Sequence, residues 1–245
     1  MNDKPALVLL HGHGVGPSIW DSLQAAFSPA YRILKPDFST LTSHTSVEAY
    51  AEQLYSLLVA SQVDRCVLIG HSMGGYVALA LAASHPERVA GLVLFNSTAF
   101  ADPNTDEQRA KRDAAQTQLQ TEGSAAFIEK AVTSMFSKPD QQKKADLVRA
   151  TVERYKTLPT EALLAGLQAI RTRPDRSELL VEAPYPVLIL AGRHDMAVPI
   201  ERSQELNDKL PNAQLVVLEN SGHLGMLEEP EAAETALKQF LMDNV

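Results

Sequence analysis

Cysteine is nearly absent. Cys66 is the only one in 245 residues, so no disulfide can form within the chain, a pattern that suits a reducing cytoplasm. It sits in the apolar run Cys66-Val67-Leu68-Ile69 and reads as a buried strand thiol rather than a reactive one. Long hydrophobic runs are missing too. Asn2-Asp3-Lys4-Pro5 leads into only five apolar residues, Ala6 to Leu10, before His11. That is too short for a secretory signal, and nothing elsewhere approaches a membrane span. The expectation is a cytoplasmic protein without a membrane partner. Positive charge is scarce as well: 22 Lys and Arg against 30 Asp and Glu leave a formal net charge of −8. Nucleic acid, which demands a dense positive field, is therefore not an expected partner. The densest basic stretch, Arg109 to Arg112, is flanked by Glu107 and Asp113 and reads as a solvated helix face.

What is there is an ordinary globular composition, 45% hydrophobic and 21% charged, able to bury a core. Short runs rich in Val, Ile and Leu recur at 6–10, 31–34, 66–69, 92–95, 187–191 and 215–218, with helical patterns between them. Such runs suit parallel strands covered on both faces. Thr45-Ser46-Val47-Glu48 reads as a capping box, and Pro230 as the first residue of a terminal helix. The alternation predicts an α/β fold with a doubly wound, mostly parallel sheet of about six strands. Between about 99 and 181 it fails: apolar stripes at helical spacing appear, but no strand. Residues 1–98 and 182–245 are thus expected to form the core, and 99–181 a helical lid over the sheet's carboxyl edge, where ligands bind in such folds.

The strongest local signal is Gly70-His71-Ser72-Met73-Gly74-Gly75, directly after a strand pattern and directly before a helical one. A serine on so sharp a turn needs small neighbours, and the helix N-terminus brings free N–H groups beside its oxygen. A glycine-rich turn with an incidental serine is the plain alternative. Serine needs a base, and His223, in a short loop between Gly222 and Gly225, is the best placed of seven histidines. The base needs an acid to hold its tautomer. Asp195 follows the strand pattern 187–191, and Asp102, past the pattern 92–95, is the runner-up. Gly12, Gly14 and Gly16 with Asp37 hint at a dinucleotide site, but Pro17 stands where that motif requires glycine. Asp37 is read instead as a tether for the loop after its strand. His11 and His13 lack a third ligand of suitable spacing, so no metal is expected.

Leu10-His11-Gly12-His13-Gly14, the Gly70 to Gly75 segment, and the late Asp195 and His223 together resemble the α/β-hydrolase superfamily along the whole chain. The resemblance is to its serine esterase-like members with a helical lid. It implies a nucleophile-base-acid set of Ser72, His223 and Asp195, in the order Ser72, Asp195, His223 that this fold uses. It also implies an oxyanion hole made by the backbone N–H groups of His13 and Met73, with no cofactor. Where relatives often have a glycine-rich turn, this chain has Phe38-Ser39-Thr40-Leu41, which leaves that pocket wall open. The implied activity is hydrolysis of a small carboxylic ester. Lactone, thioester or C–C bond hydrolysis, cofactor-free perhydrolysis, or ligand reception on a hydrolase fold are the alternatives. Lyase relatives carry an arginine after the elbow glycines, where this chain has Tyr76. Candidate substrate contacts are Trp20 (by position chiefly a packing residue), Phe127, Phe136 and Tyr155. Neither the acyl chain length nor the oligomeric state follows from these residues.

Overall fold

The computed structural model describes residues 4–245, so residues 1–3, with which the expected core begins, lie outside it. Among the described residues six strands form one wholly parallel sheet: β1 (Ala6–Leu10), β2 (Ile33–Leu34), β3 (Cys66–His71), β4 (Val89–Phe95), β5 (Val187–Gly192) and β6 (Ala213–Leu218). Their spatial order is β2-β1-β3-β4-β5-β6. The chain thus leaves β1 toward one edge and returns to β3 on its other side. The loops after β1 and β3 diverge there, and in open α/β sheets ligands bind in the crevice at such a point.

Strand periodicity explains the continuous apolar runs. Val8, Leu68, Leu92 and Ile189 pack into one core, while Leu9, Val67, Val93 and Leu188 pack into a second on the opposite face. Since successive side chains point to opposite faces, a strand covered on both sides must be apolar at every position. The second strand is shorter than the pattern 31–34 implied. The Tyr31 N–H is taken by the Phe27 carbonyl, at the end of helix α1 (Asp21–Phe27), which leaves only Ile33 and Leu34 extended.

Helices α2 (Val47–Ala60) and α3 (Met73–Ser84) cover the first core. The N-cap of α2 is Ser46, whose side chain accepts the Ala49 N–H at 3.3 Å. The capping box read at 45–48 is therefore displaced by one residue, and Glu48 pairs at 2.6 Å with Arg176 instead of closing it. After β4 come the inserted helices α4 (Asp106–Met135), α5 (Lys138–Lys143), α6 (Ala145–Tyr155), α7 (Thr160–Thr172) and α8 (Ser177–Val181). Helix α4 breaks at Gly123, whose φ of 79° no helical residue adopts. The Gln-rich stretch 116–120 lies inside its first half. Helix α9 (Ile200–Lys209) joins β5 to β6; the short α10 (Gly225–Glu228) and α11 (Pro230–Asn244, with Pro230 in its first turn) close the chain. Among the described residues no helix is long and apolar enough to cross a membrane.

Candidate active site

Ser72 links β3 to α3 with φ 52° and ψ −119°. That is a sparsely populated conformation, costing of order 1–3 kcal/mol and persisting only where the surroundings enforce it. The enforcement is visible. A Cβ on Gly70 would meet the backbone of Gly75 at 2.5 Å, and one on Gly74 would strike the Leu10 carbonyl. The Ser72 N–H donates to Phe95 O at 3.1 Å, and Ser97 Oγ donates to Ser72 O at 2.8 Å. Strand, serine and helix are thereby locked to the neighbouring strand ends.

His223 and Asp195 come together from the loops after β6 and β5. His223 Nδ1 donates to Asp195 Oδ2 at 2.7 Å, and both side chains are buried, at 3% and 0% exposure. The other oxygen, Asp195 Oδ1, accepts the N–H groups of Ala197 (2.7 Å) and Val198 (2.9 Å). With Nδ1 protonated toward the carboxylate, Nε2 is the ring's acceptor nitrogen. Among the described residues neither Ser72 Oγ nor His223 Nε2 has a hydrogen-bond partner, so the serine–histidine bond is not formed in this arrangement. In unliganded sites of this kind that bond often tightens only with substrate present.

Two residues outside the candidate set, Asn96 and His71, support the pair. Asn96, after β4, has φ 48° and donates through Nδ2 to both Asp195 Oδ2 (2.8 Å) and Gly222 O (3.1 Å). His71 donates from Nε2 to the His223 carbonyl at 2.8 Å, its ring 4.8 Å from that of His223. Burial, with the nearby His223 adding to it, holds His71 well below the usual histidine range and keeps it neutral. Neither role leaves a sequence motif; both depend on which strands are neighbours.

The loop after β1 faces the elbow. His11 bonds through Nδ1 to Gly12 O and through Nε2 to the Phe38 N–H (2.9 Å), which makes it a strut between the first two strand ends. His13 donates from Nε2 to Leu163 O of α7 at 2.8 Å, and burial lowers its pKa to about 4. The N–H groups of His13 and Met73 have no acceptor among the described residues. Gly166 of α7 lies against the His13 ring and Met73 Sδ, so the insertion sits directly on this loop.

The remaining sequence candidates are scattered. Phe127 packs edge-on against the His13 ring at 5.8 Å. Trp20 lies beneath the site rather than on it, fully buried and edge-on to Phe95 (5.6 Å) and His71 (6.4 Å). Tyr155 is committed elsewhere, its hydroxyl bonded to Ser18 Oγ (2.6 Å) and Gly16 O (3.2 Å). Phe136 is buried in the joint between α4 and α5. Asp102, the runner-up acid, binds Arg112 and Arg173 instead of a histidine. Asp37 accepts Ser39 N–H at 2.9 Å and tethers its own loop. Among the described residues no group of three or more His, Cys, Asp and Glu side chains could hold a metal ion.

The chain is 31% identical over 259 residues, 99% of its length and 92% of the relative's, to a protein of Stutzerimonas stutzeri (strain A1501) named as the carbamate hydrolase RutD, an activity that name gives provisionally. It is 30% identical over 247 residues, 96% of this chain and 94% of the relative, to a pimeloyl-acyl-carrier protein methyl ester esterase of Vibrio campbellii. The malate-bound structure of a thermophilic esterase from Thermogutta terrifontis matches with a TM-score of 0.89 and 26% identity, covering 98% of this chain and 90% of that one. With the description "Alpha/beta hydrolase family" matching residues 7–236, the chain belongs to the alpha/beta hydrolase family.

Proposed function

We propose that this protein hydrolyses small carboxylic esters through an acyl-enzyme formed on Ser72. Ser72 Oγ attacks the ester carbonyl while His223 Nε2 takes its proton. His223 then passes that proton to the departing alkoxide, releasing the alcohol. Water, deprotonated by the same nitrogen, attacks the acyl carbonyl; the acid leaves and Ser72 Oγ regains a proton. Asp195 holds Nδ1–H and stabilises the imidazolium formed in each half-reaction. The N–H groups of His13 and Met73 bind the oxyanion, each donor being worth about 10²–10³ in kcat. No metal or organic cofactor enters. Residues 99–181 act as the lid that selects the substrate.

The observation that carries this reading is the buried 2.7 Å bond between His223 Nδ1 and Asp195 Oδ2. It commits Nδ1 and leaves Nε2 basic, at the strand edge that also presents Ser72 in its strained turn. The methyl ester esterase of Vibrio campbellii, 30% identical, supports an ester as the substrate class.

Stopped-flow release of nitrophenol from p-nitrophenyl acetate, butyrate and octanoate tests it. A burst stoichiometric with enzyme is expected, and Ser72→Ala lowers turnover by roughly 10⁴–10⁶. Equal activity of wild type and Ser72→Ala on every ester would sink the mechanism. Lactones, thioesters and diketones run alongside decide among reactions sharing these residues. Tight binding with negligible turnover throughout would mark a ligand receptor.

A further inference from the structure

Glu228 lies five residues beyond His223, at the end of α10, with 3% exposure. Among the described residues its carboxylate pairs with no cationic side chain, and both oxygens accept backbone N–H groups. Oε1 accepts from Gly222 (2.8 Å) and Leu224 (3.3 Å), the residues on either side of His223. Oε2 accepts from Ser137 (2.8 Å), in the joint between α4 and α5 of the insertion. The N–H between the two loop donors, that of His223 itself, goes to Met135 O at 2.6 Å, at the end of α4. Three consecutive N–H groups around His223 are therefore divided between one carboxylate and the insertion.

The packing is as close as the hydrogen bonding. A Cβ on Gly222 would meet Met135 O and Ser137 N, both at 2.6 Å, so the joint rests directly on the histidine loop. The joint is braced in turn: Gln141 Nε2 donates to Phe136 O at 3.0 Å, and Lys144 Nζ bridges the Glu228 backbone carbonyl and Asp140. Ionised acceptors make the stronger hydrogen bonds, and a buried donor stripped of its partner costs about 1–3 kcal/mol. A carboxylate shared between two segments thus ties their positions together.

We propose that Glu228 is a positioning residue that fixes His223 by clamping the α4–α5 joint to the histidine loop. The insertion is then part of the catalytic geometry at this end, not only a cover over it. The inference rests on the ester hydrolase reading for its kinetic consequence, and on the geometry alone for its physical one. Glu228→Gln separates the two segments with little change in volume. An amide offers one oxygen where two are needed, so either the loop donors or Ser137 must face an NH₂ group.

Two readouts test the clamp. With p-nitrophenyl butyrate, Glu228→Gln is expected to lower kcat about tenfold or more while KM stays within about twofold, because a misplacement near 1 Å can cost about 10². Amide hydrogen exchange should rise together in residues 219–224 and 133–140, with 66–71 and 187–192 unchanged. The same paired rise is expected in a Ser72→Ala background, so failure of the ester reading would show in turnover and leave the exchange result standing. Wild-type kcat in Glu228→Gln, or faster exchange in 219–224 alone, overturns the proposal. If Glu228→Gln does not fold, Gly222→Ala prises the joint away sterically with Glu228 intact. Exchange in 133–140 at the wild-type rate in that variant would also overturn it.

Discussion

Asn96 is one side chain doing what the Asp195 and His223 loops cannot do for each other. Its amide holds the same Asp195 oxygen that His223 uses, and also the Gly222 carbonyl beside His223. The position is strained, φ 48°, and its Oδ1 is buried without a partner. Asparagine tolerates that left-handed conformation better than most residues, and the local cost is offset by the bonds from Nδ2. Asn96→Gly keeps the backbone conformation accessible and removes only the amide. It should reduce kcat about tenfold to a hundredfold, whereas Asp195→Asn, which destroys the tautomer control, should cost about 10⁴. Steady-state kinetics on p-nitrophenyl butyrate ranks the two. Wild-type turnover in Asn96→Gly would mean the amide is not needed to place the acid.

The inserted helices are held as elements by two anchors of different chemistry, one to the histidine loop and one among themselves. One anchor is the joint resting on the histidine loop. The other is Asp102, which gathers Arg112 of α4 and Arg173, just past α7, into a cluster whose Asp102 and Arg173 side chains are 6% and 5% exposed. Burial pushes the Asp102 carboxyl up, but the two guanidiniums outweigh it and hold the group below its ordinary range. Asp102→Asn leaves Arg173 buried without its counter-charge and should destabilise by about 3 kcal/mol, read by urea unfolding. Its kcat should stay within about twofold of wild type. A collapse matching that of Asp195→Asn would instead make Asp102 the catalytic acid.

On the scale of the whole molecule, the sheet buries neutral histidines where its two cores meet the site. His13, lowered to about 4, and His71, lowered well below the usual histidine range, both bind protons more weakly folded than unfolded. A depressed folded pKa contributes stability that is complete above pH 6.5 and is lost as pH falls toward the folded value. Between pH 6.5 and 4, His13 alone should cost about 2–3 kcal/mol. Urea denaturation at pH 7, 5.5 and 4 should show wild type losing more stability than His13→Gln, which stays neutral throughout. Parallel losses in the two proteins would show that His13 already titrates normally in the fold.

Much of this was written in local pattern. A strand apolar at every position, as at Cys66 to Ile69, announces burial on both faces before any partner is known. The glycines around Ser72 announce a turn too tight for side chains, and chain order nominated Asp195 and His223, whose side chains the fold brings to 2.7 Å. Asn96 and Glu228 carried no such mark, because each acts through a distant partner, Asp195 at 99 residues and Ser137 at 91. The sequence by itself therefore determined most of the strand pattern and the tight turn at Ser72, and it nominated the groups proposed to react, each a matter of local geometry and period. Only the tertiary structure decided what holds those groups in place. Strand order set β4 beside β5 and laid the insertion on the histidine loop, and long-range hydrogen bonds exist only once that packing has formed.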